Sequence, residues 1–114
     1  MAKIILFIQS DPRTSPRPCE AIRIALGLAA CDHAVDLILG TYALPLLDND
    51  LIDVIDGEKA REYLVLLKEF LCCIIIEKEN AGLIMNISDD YRVVALNKRE
   101  IAQKMAATEC FFMF

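Results

Sequence analysis

The feature that most constrains this chain is an alternation. Short, almost wholly apolar runs (Lys3-Ile4-Ile5-Leu6-Phe7-Ile8, Val35 to Leu39, Cys72 to Ile76, Tyr91 to Leu96 and Cys110 to Phe114) are separated by longer stretches, most of helical period. Continuous apolar, β-branched runs without a polar face are expected of strands covered on both sides. The intervening stretches supply the cover. From Cys19 to Cys31, Ala21, Ile22, Ala25, Leu26, Ala29 and Ala30 spread over most of a helix, with Glu20 and Arg23 as its polar face. From Glu58, an i, i+3, i+4 stripe of Ala60, Tyr63, Leu64, Leu67 and Phe70 marks a second helix. Asn97-Lys98-Arg99-Glu100 reads as a capping box opening a third, with Ile101, Met105 and Ala106 inward. Ser10 to Pro18 is a loop, Ala43 to Gly57 an acidic irregular segment, and Glu79 to Leu83 a short helix or turn. Strands alternating with helices predict right-handed βαβ units, an α/β fold and a three-layer α/β/α sandwich within one domain, 1–114.

Composition narrows the function. Hydrophobic residues make up 56% of the 114 residues, above the roughly 45–50% of ordinary soluble domains. The excess predicts a doubly covered sheet and a surface buried by another subunit. A net charge of -5 and a pI near 4.8 argue against direct nucleic-acid binding through a basic stripe. No apolar run approaches the roughly 20 residues of a membrane span, and Met1-Ala2-Lys3 opens no signal-peptide pattern, so a cytoplasmic location is expected. There are 5 cysteines, an odd number, expected as free thiols in that compartment. The one histidine, His33, reads as a solvated turn residue, and neither metal nor cofactor is expected. None of the 4 glycines falls in the first strand-to-helix loop, which excludes a P-loop or dinucleotide fingerprint there. The acidic stretch Asp48 to Asp56 lacks the spacing of an EF-hand. A phospho-receiver domain would need paired acids after the first strand; Asp11 stands nearly alone.

Three segments resemble the DsrE/DsrF-like (TusB/TusC/TusD) sulfur-relay family. Glu20-Ala21 in an apolar helix, followed by a strand and Gly40-Thr41-Tyr42-Ala43-Leu44-Pro45-Leu46-Leu47, is similar to the family's opening. Ile74-Ile75-Ile76-Glu77-Lys78-Glu79-Asn80-Ala81-Gly82-Leu83 is similar to a strand and turn of the DsrF/TusC branch. The tail from Tyr91 to Phe114, with its strand, capped helix and final aromatic strand, completes the likeness. The resemblance implies a parallel five-stranded sheet, assembly with itself or with small paralogues as trimers or hexamers, and persulfide transfer to or from a sulfur-carrier protein. In the family that chemistry serves tRNA thiolation or sulfur oxidation. Glu77 stands where catalytic members carry their cysteine, as in the non-catalytic DsrF/TusC-like partners.

A sulfur carrier needs an accessible thiolate. Cys19 is the candidate sulfur acceptor: it follows Pro18 at the start of the first helix, near unpaired amides and near Arg13 and Arg17, which together predict a lowered thiol pKa. Arg13, Thr14, Ser15 and Arg17, ahead of that helix, are candidate anion ligands. Cys72 and Cys73 lie inside a strand and read as inert, and Cys31 and Cys110 as core. The alternatives are an active carrier through Cys19, a cysteine-poor scaffold, or an oligomeric interaction module without sulfur chemistry.

Overall fold

The computed structural model describes residues 2–50, 53–83, 87 and 90–114. The apolar runs form five strands: β1 Lys3–Ile8, β2 Ala34–Leu39, β3 Ile74–Glu77, β4 Val93–Leu96 and β5 Cys110–Met113. They build one wholly parallel sheet in the order β4-β3-β2-β1-β5. The α-helices are α1 Arg17–Ala30, α2 Gly57–Glu69 and α3 Lys98–Ala106. The steps from β1 to β2 and from β2 to β3 run one way along the sheet, and the step from β4 to β5 runs back. Crossovers of constant hand therefore place α1 and α2 together on one face and α3 on the other.

Strand periodicity assigns the side chains. Ile4, Leu6 and Ile8 of β1, Val35, Leu37 and Leu39 of β2 and Ile74 and Ile76 of β3 face α1 and α2. Ala21, Ala25 and Ala29 line the buried side of α1, and small residues let its backbone approach the sheet. Ile5, Ile38 and Ile75 point the other way and meet Ile101 of α3, with Phe7, Leu96 and Met105 half-buried around them. One helix of 9 residues cannot cover five strands. Phe111 and Met113 of β5, in register with Ile5 and Phe7 on that face, are exposed accordingly, while Phe112, in register with Leu6, is exposed on the α1–α2 face beyond the edge of its helices.

Several boundaries and burials differ from the sequence expectation. Helix α1 begins at Arg17, two residues before Cys19. The segment after β2 is not irregular throughout. Thr41–Leu47 is a 3₁₀ helix whose Ala43, Leu44, Leu46 and Leu47 are buried, because its apolar side chains fill the end of the α1–α2 layer. Leu51 and Ile52 of the same segment lie outside the described residues. Phe70, on the predicted inward stripe, is 49% exposed because α2 ends at Glu69 and the chain turns away. His33 is half-buried, and its Nδ1 accepts the Ala2 N–H at 3.1 Å. That bond ties the turn after α1 to the start of β1 and fixes the hydrogen-bearing nitrogen as Nε2. The capping box opening α3 is present as expected: the Asn97 side chain accepts the Glu100 N–H and the Glu100 carboxylate accepts the Asn97 N–H.

Candidate functional site

In a parallel sheet all strands end on the same side, and the loops there form the usual ligand edge. Here that edge gathers the loop after β1, the 3₁₀ helix after β2, a second 3₁₀ turn at Lys78–Asn80 after β3, and Asn97 after β4. Glu77 is the last residue of β3 and is half-buried. Its neighbours Lys78, Glu79, Asn97 and Lys98 line with it a shallow cavity of about 200 Å³. Lys78 Nζ also lies 3.9 Å from Glu100 Oε1. Asn80 is the buried polar residue of this edge: 8% exposed, it donates from Nδ2 to Thr41 Oγ1 at 3.3 Å. The bond couples the loops after β2 and β3, whose partners stand 39 positions apart. That distance is why the sequence carried no sign of it. A second hollow, about 340 Å³, is lined by Phe7, Gln9, Gly40, Thr41 and Tyr42.

The proposed anion ligands are drawn into internal bonds. Arg13 Nε and Nη2 donate to the two carboxylate oxygens of Asp11 at 3.1 and 3.0 Å. The Arg13 contact holds the Asp11 carboxyl below its ordinary range. Thr14 Oγ1 donates to the Asp11 carbonyl, and Ser15 Oγ accepts the Arg17 N–H at 3.2 Å. An incoming anion would have to displace Asp11 from the Arg13 fork.

Cys19 lies in the first turn of α1, as expected, but its thiol pKa moves the opposite way. It is 8% exposed, with Sγ 3.9 Å from the Asp56 carbonyl. Burial pushes the thiol up, Asp56 and Glu20 add to the rise, and Lys59 and Arg23 oppose it. Arg13 and Arg17 have no part in its balance. Cys72, buried in the sheet, is pushed up to about 12, first by burial and then by Asp36. Cys31 and Cys110, expected in the core, are both exposed. Cys110 pairs in register with Ile4 near the start of β1, and Cys31 follows α1 just before β2. Both therefore sit at the opposite edge from Glu77.

No protein-family model matches the chain, and no curated protein matches it. Among solved structures, the crystal structure of the ychN protein from E. coli superposes with a TM-score of 0.82 at 18% identity, covering 100% of both chains. The chain therefore shares the fold of that protein.

Within this fold the edge around Glu77 brings together carboxylates, ammonium groups and amides, and no cysteine. Among the described residues it can bind and orient a charged partner group. A thiolate for covalent sulfur transfer would have to come from Cys19, whose thiol pKa burial pushes up, or from another chain.

Proposed function

We propose that this chain is a subunit of a persulfide-relay system acting in the non-catalytic, DsrF/TusC-like role, assembled with copies of itself or with small paralogues that carry the working thiol. The observation that carries this reading is Glu77 at the end of β3, where the resemblance places the catalytic cysteine. The burial of Cys19 and Cys72 supports it, as does the exposed apolar edge strand β5, which offers a surface for a neighbouring subunit. In such a relay a thiolate attacks the outer sulfur of a donor persulfide. The new S–S bond forms as the donor's S–S bond breaks, and the donor leaves as a thiolate, with no net oxidation. Glu77 cannot take part covalently.

The test is persulfide loading from a cysteine desulfurase supplied with cysteine, read by mass spectrometry. The parent chain is expected to remain unloaded, at Cys19 as elsewhere, while Glu77→Cys gains a persulfide at residue 77. Loading of the parent that disappears in Cys19→Ser would make this chain a carrier itself. A Glu77→Cys variant that folds but stays unloaded would leave an interaction module without sulfur chemistry as the better account.

A further inference from the structure

Strand β5 is exposed from Cys110 to Met113. Helix α1 stands over β1 and β2, and α3 packs through Ile101 on Ile5, Ile38 and Ile75, so among the described residues neither helix covers β5. Its outer edge is open as well. Phe114 uses both backbone groups on β1: its N–H donates to the Phe7 carbonyl and its carbonyl accepts the Gln9 N–H, each at 2.8 Å. Successive residues of a strand turn these groups to opposite sides. Those of Phe112 therefore face β1, and those of Phe111 and Met113 face outward. Among the described residues no bond outside the β1 ladder reaches Phe111 or Met113. An edge of this kind, flanked by apolar side chains, is a template for another strand.

The spacing of the outward residues decides which strand fits. In an antiparallel pair, two opposed residues that face each other exchange both hydrogen bonds, and the residues between such pairs oppose each other closely. A two-fold axis at Phe112 sets Phe111 against Met113 of a second copy and Met113 against its Phe111, so one surface answers every outward group of both strands. Phe112 then meets its counterpart on the α1 face, where it is exposed. On the α3 face the Met113 thioether comes beside a Phe111 ring, a favourable contact. It extends the edge-to-face pair of Phe7 and Phe111, whose centroids are 6.3 Å apart. Self-pairing sets like beside like, and Cys110 to Phe114 holds no charged side chain to repel its copy. Glu109 is carried toward the second copy's loop after β1, where Arg13 and Arg17 outnumber Asp11. We propose that β5 pairs antiparallel with the β5 of a second copy about a two-fold axis at Phe112, joining the two sheets into one. The pairing rests on the assembly part of the proposed function and not on its sulfur chemistry.

Cross-linking tests the register. In a Cys31→Ser, Cys110→Ser background, Phe112→Cys is expected to shift to dimer mass under mild oxidation. Directly opposed residues between hydrogen-bonded pairs lie about 4.5 Å apart at Cα, within disulfide reach. Phe111→Cys and Met113→Cys are each expected to stay monomeric in mass alone and to cross-link when the two chains are mixed. The parent chain gives a measurement free of substitution. Amide hydrogen exchange at Phe111 and Met113 should slow at least about tenfold as the protein is concentrated from monomer to dimer. Fast exchange at both amides at every concentration overturns the proposal and leaves the edge to a strand of another protein. It is also overturned if the parent is an oligomer and Phe112→Cys cross-links no faster than Phe111→Cys or Met113→Cys. Neither measurement depends on persulfide loading, so the pairing and the relay reading fail separately.

Discussion

A thiol at a helix start gains about 0.3–1 kcal/mol of help toward its anion from the aligned amides. Withdrawing that anion from water works against it, and can move a fully buried group by several pH units. At Cys19 burial wins, and the carbonyl of Asp56 beside the sulfur offers no help to a negative charge. Iodoacetamide at pH 7 should therefore modify the exposed Cys31 and Cys110 first and leave Cys19 and Cys72 for last, as peptide mapping after timed quenching would read. Rapid labelling of Cys19 would contradict the burial. Cys72 makes a second, alkaline prediction. Its folded value near 12 lies above its ordinary 9.0, so between those limits the unfolded chain has lost a proton that the folded chain keeps. Its contribution is intact below pH 9 and is lost as pH rises from about 9 to about 12. Cys72→Val should flatten that part of the stability–pH curve, measured by urea unfolding at stepped pH. An unchanged slope would place the ionisation elsewhere.

The elements are joined at two points whose worth can be measured. Asp36, on the α3 face of β2, accepts the Cys73 N–H at 3.0 Å just before β3, and its other oxygen lies 3.5 Å from Lys104 Nζ on α3. One carboxylate thus pins the lead into a strand and the last turn of a helix. Asp36→Ala leaves the Cys73 amide without its acceptor and is expected to destabilise by about 1–3 kcal/mol. Asp36→Asn keeps an acceptor oxygen and loses only the exposed ion pair, worth about 0–1 kcal/mol. Equal losses in denaturant titration would show that the amide bond contributes nothing. The end of α2 carries the other point. Leu71 holds φ 61° while 73% exposed, a left-handed conformation that costs a non-glycine residue roughly 1–2 kcal/mol. Leu71→Gly should raise the unfolding free energy by about 1 kcal/mol, and a loss instead would show that the exposed side chain is covered by something.

For the molecule as a whole, the apolar excess and the fold meet at β5. Among the described residues it is an edge strand bonded to β1 alone, and Phe112 and Met113 are 48% and 55% exposed. Exposed apolar edge strands invite pairing or burial by another chain. Sedimentation at micromolar concentration is expected to show an oligomer, and Phe112→Asp should shift it toward monomer without changing the far-ultraviolet circular dichroism. A parent chain that sediments as a monomer would overturn this assembly.

What the sequence determined by itself were the features with local causes. Continuous apolar runs marked all five strands to within about two residues at each end, Lys3–Ile8 at both ends. The 3.6-residue stripes marked the three helices, and the capping box at Asn97 could be read from four adjacent letters. The alternation of strand and helix gave the α/β class, because parallel neighbours need crossovers. Tertiary structure alone decided what depends on which chain segments meet. It turned Ala43, Leu44, Leu46 and Leu47 from an apparent loop into core, since only packing against α1 and α2 shows where those side chains go. It put Cys31 and Cys110 outside and Cys19 inside, reversing the order a helix-terminus argument gives. It brought Asn80 to Thr41 and Tyr91 to Arg61, pairs tens of residues apart. The physical reason is common to all of these: propensity, capping and period act within a few residues, whereas burial and the pairing of polar groups are properties of the assembled layers.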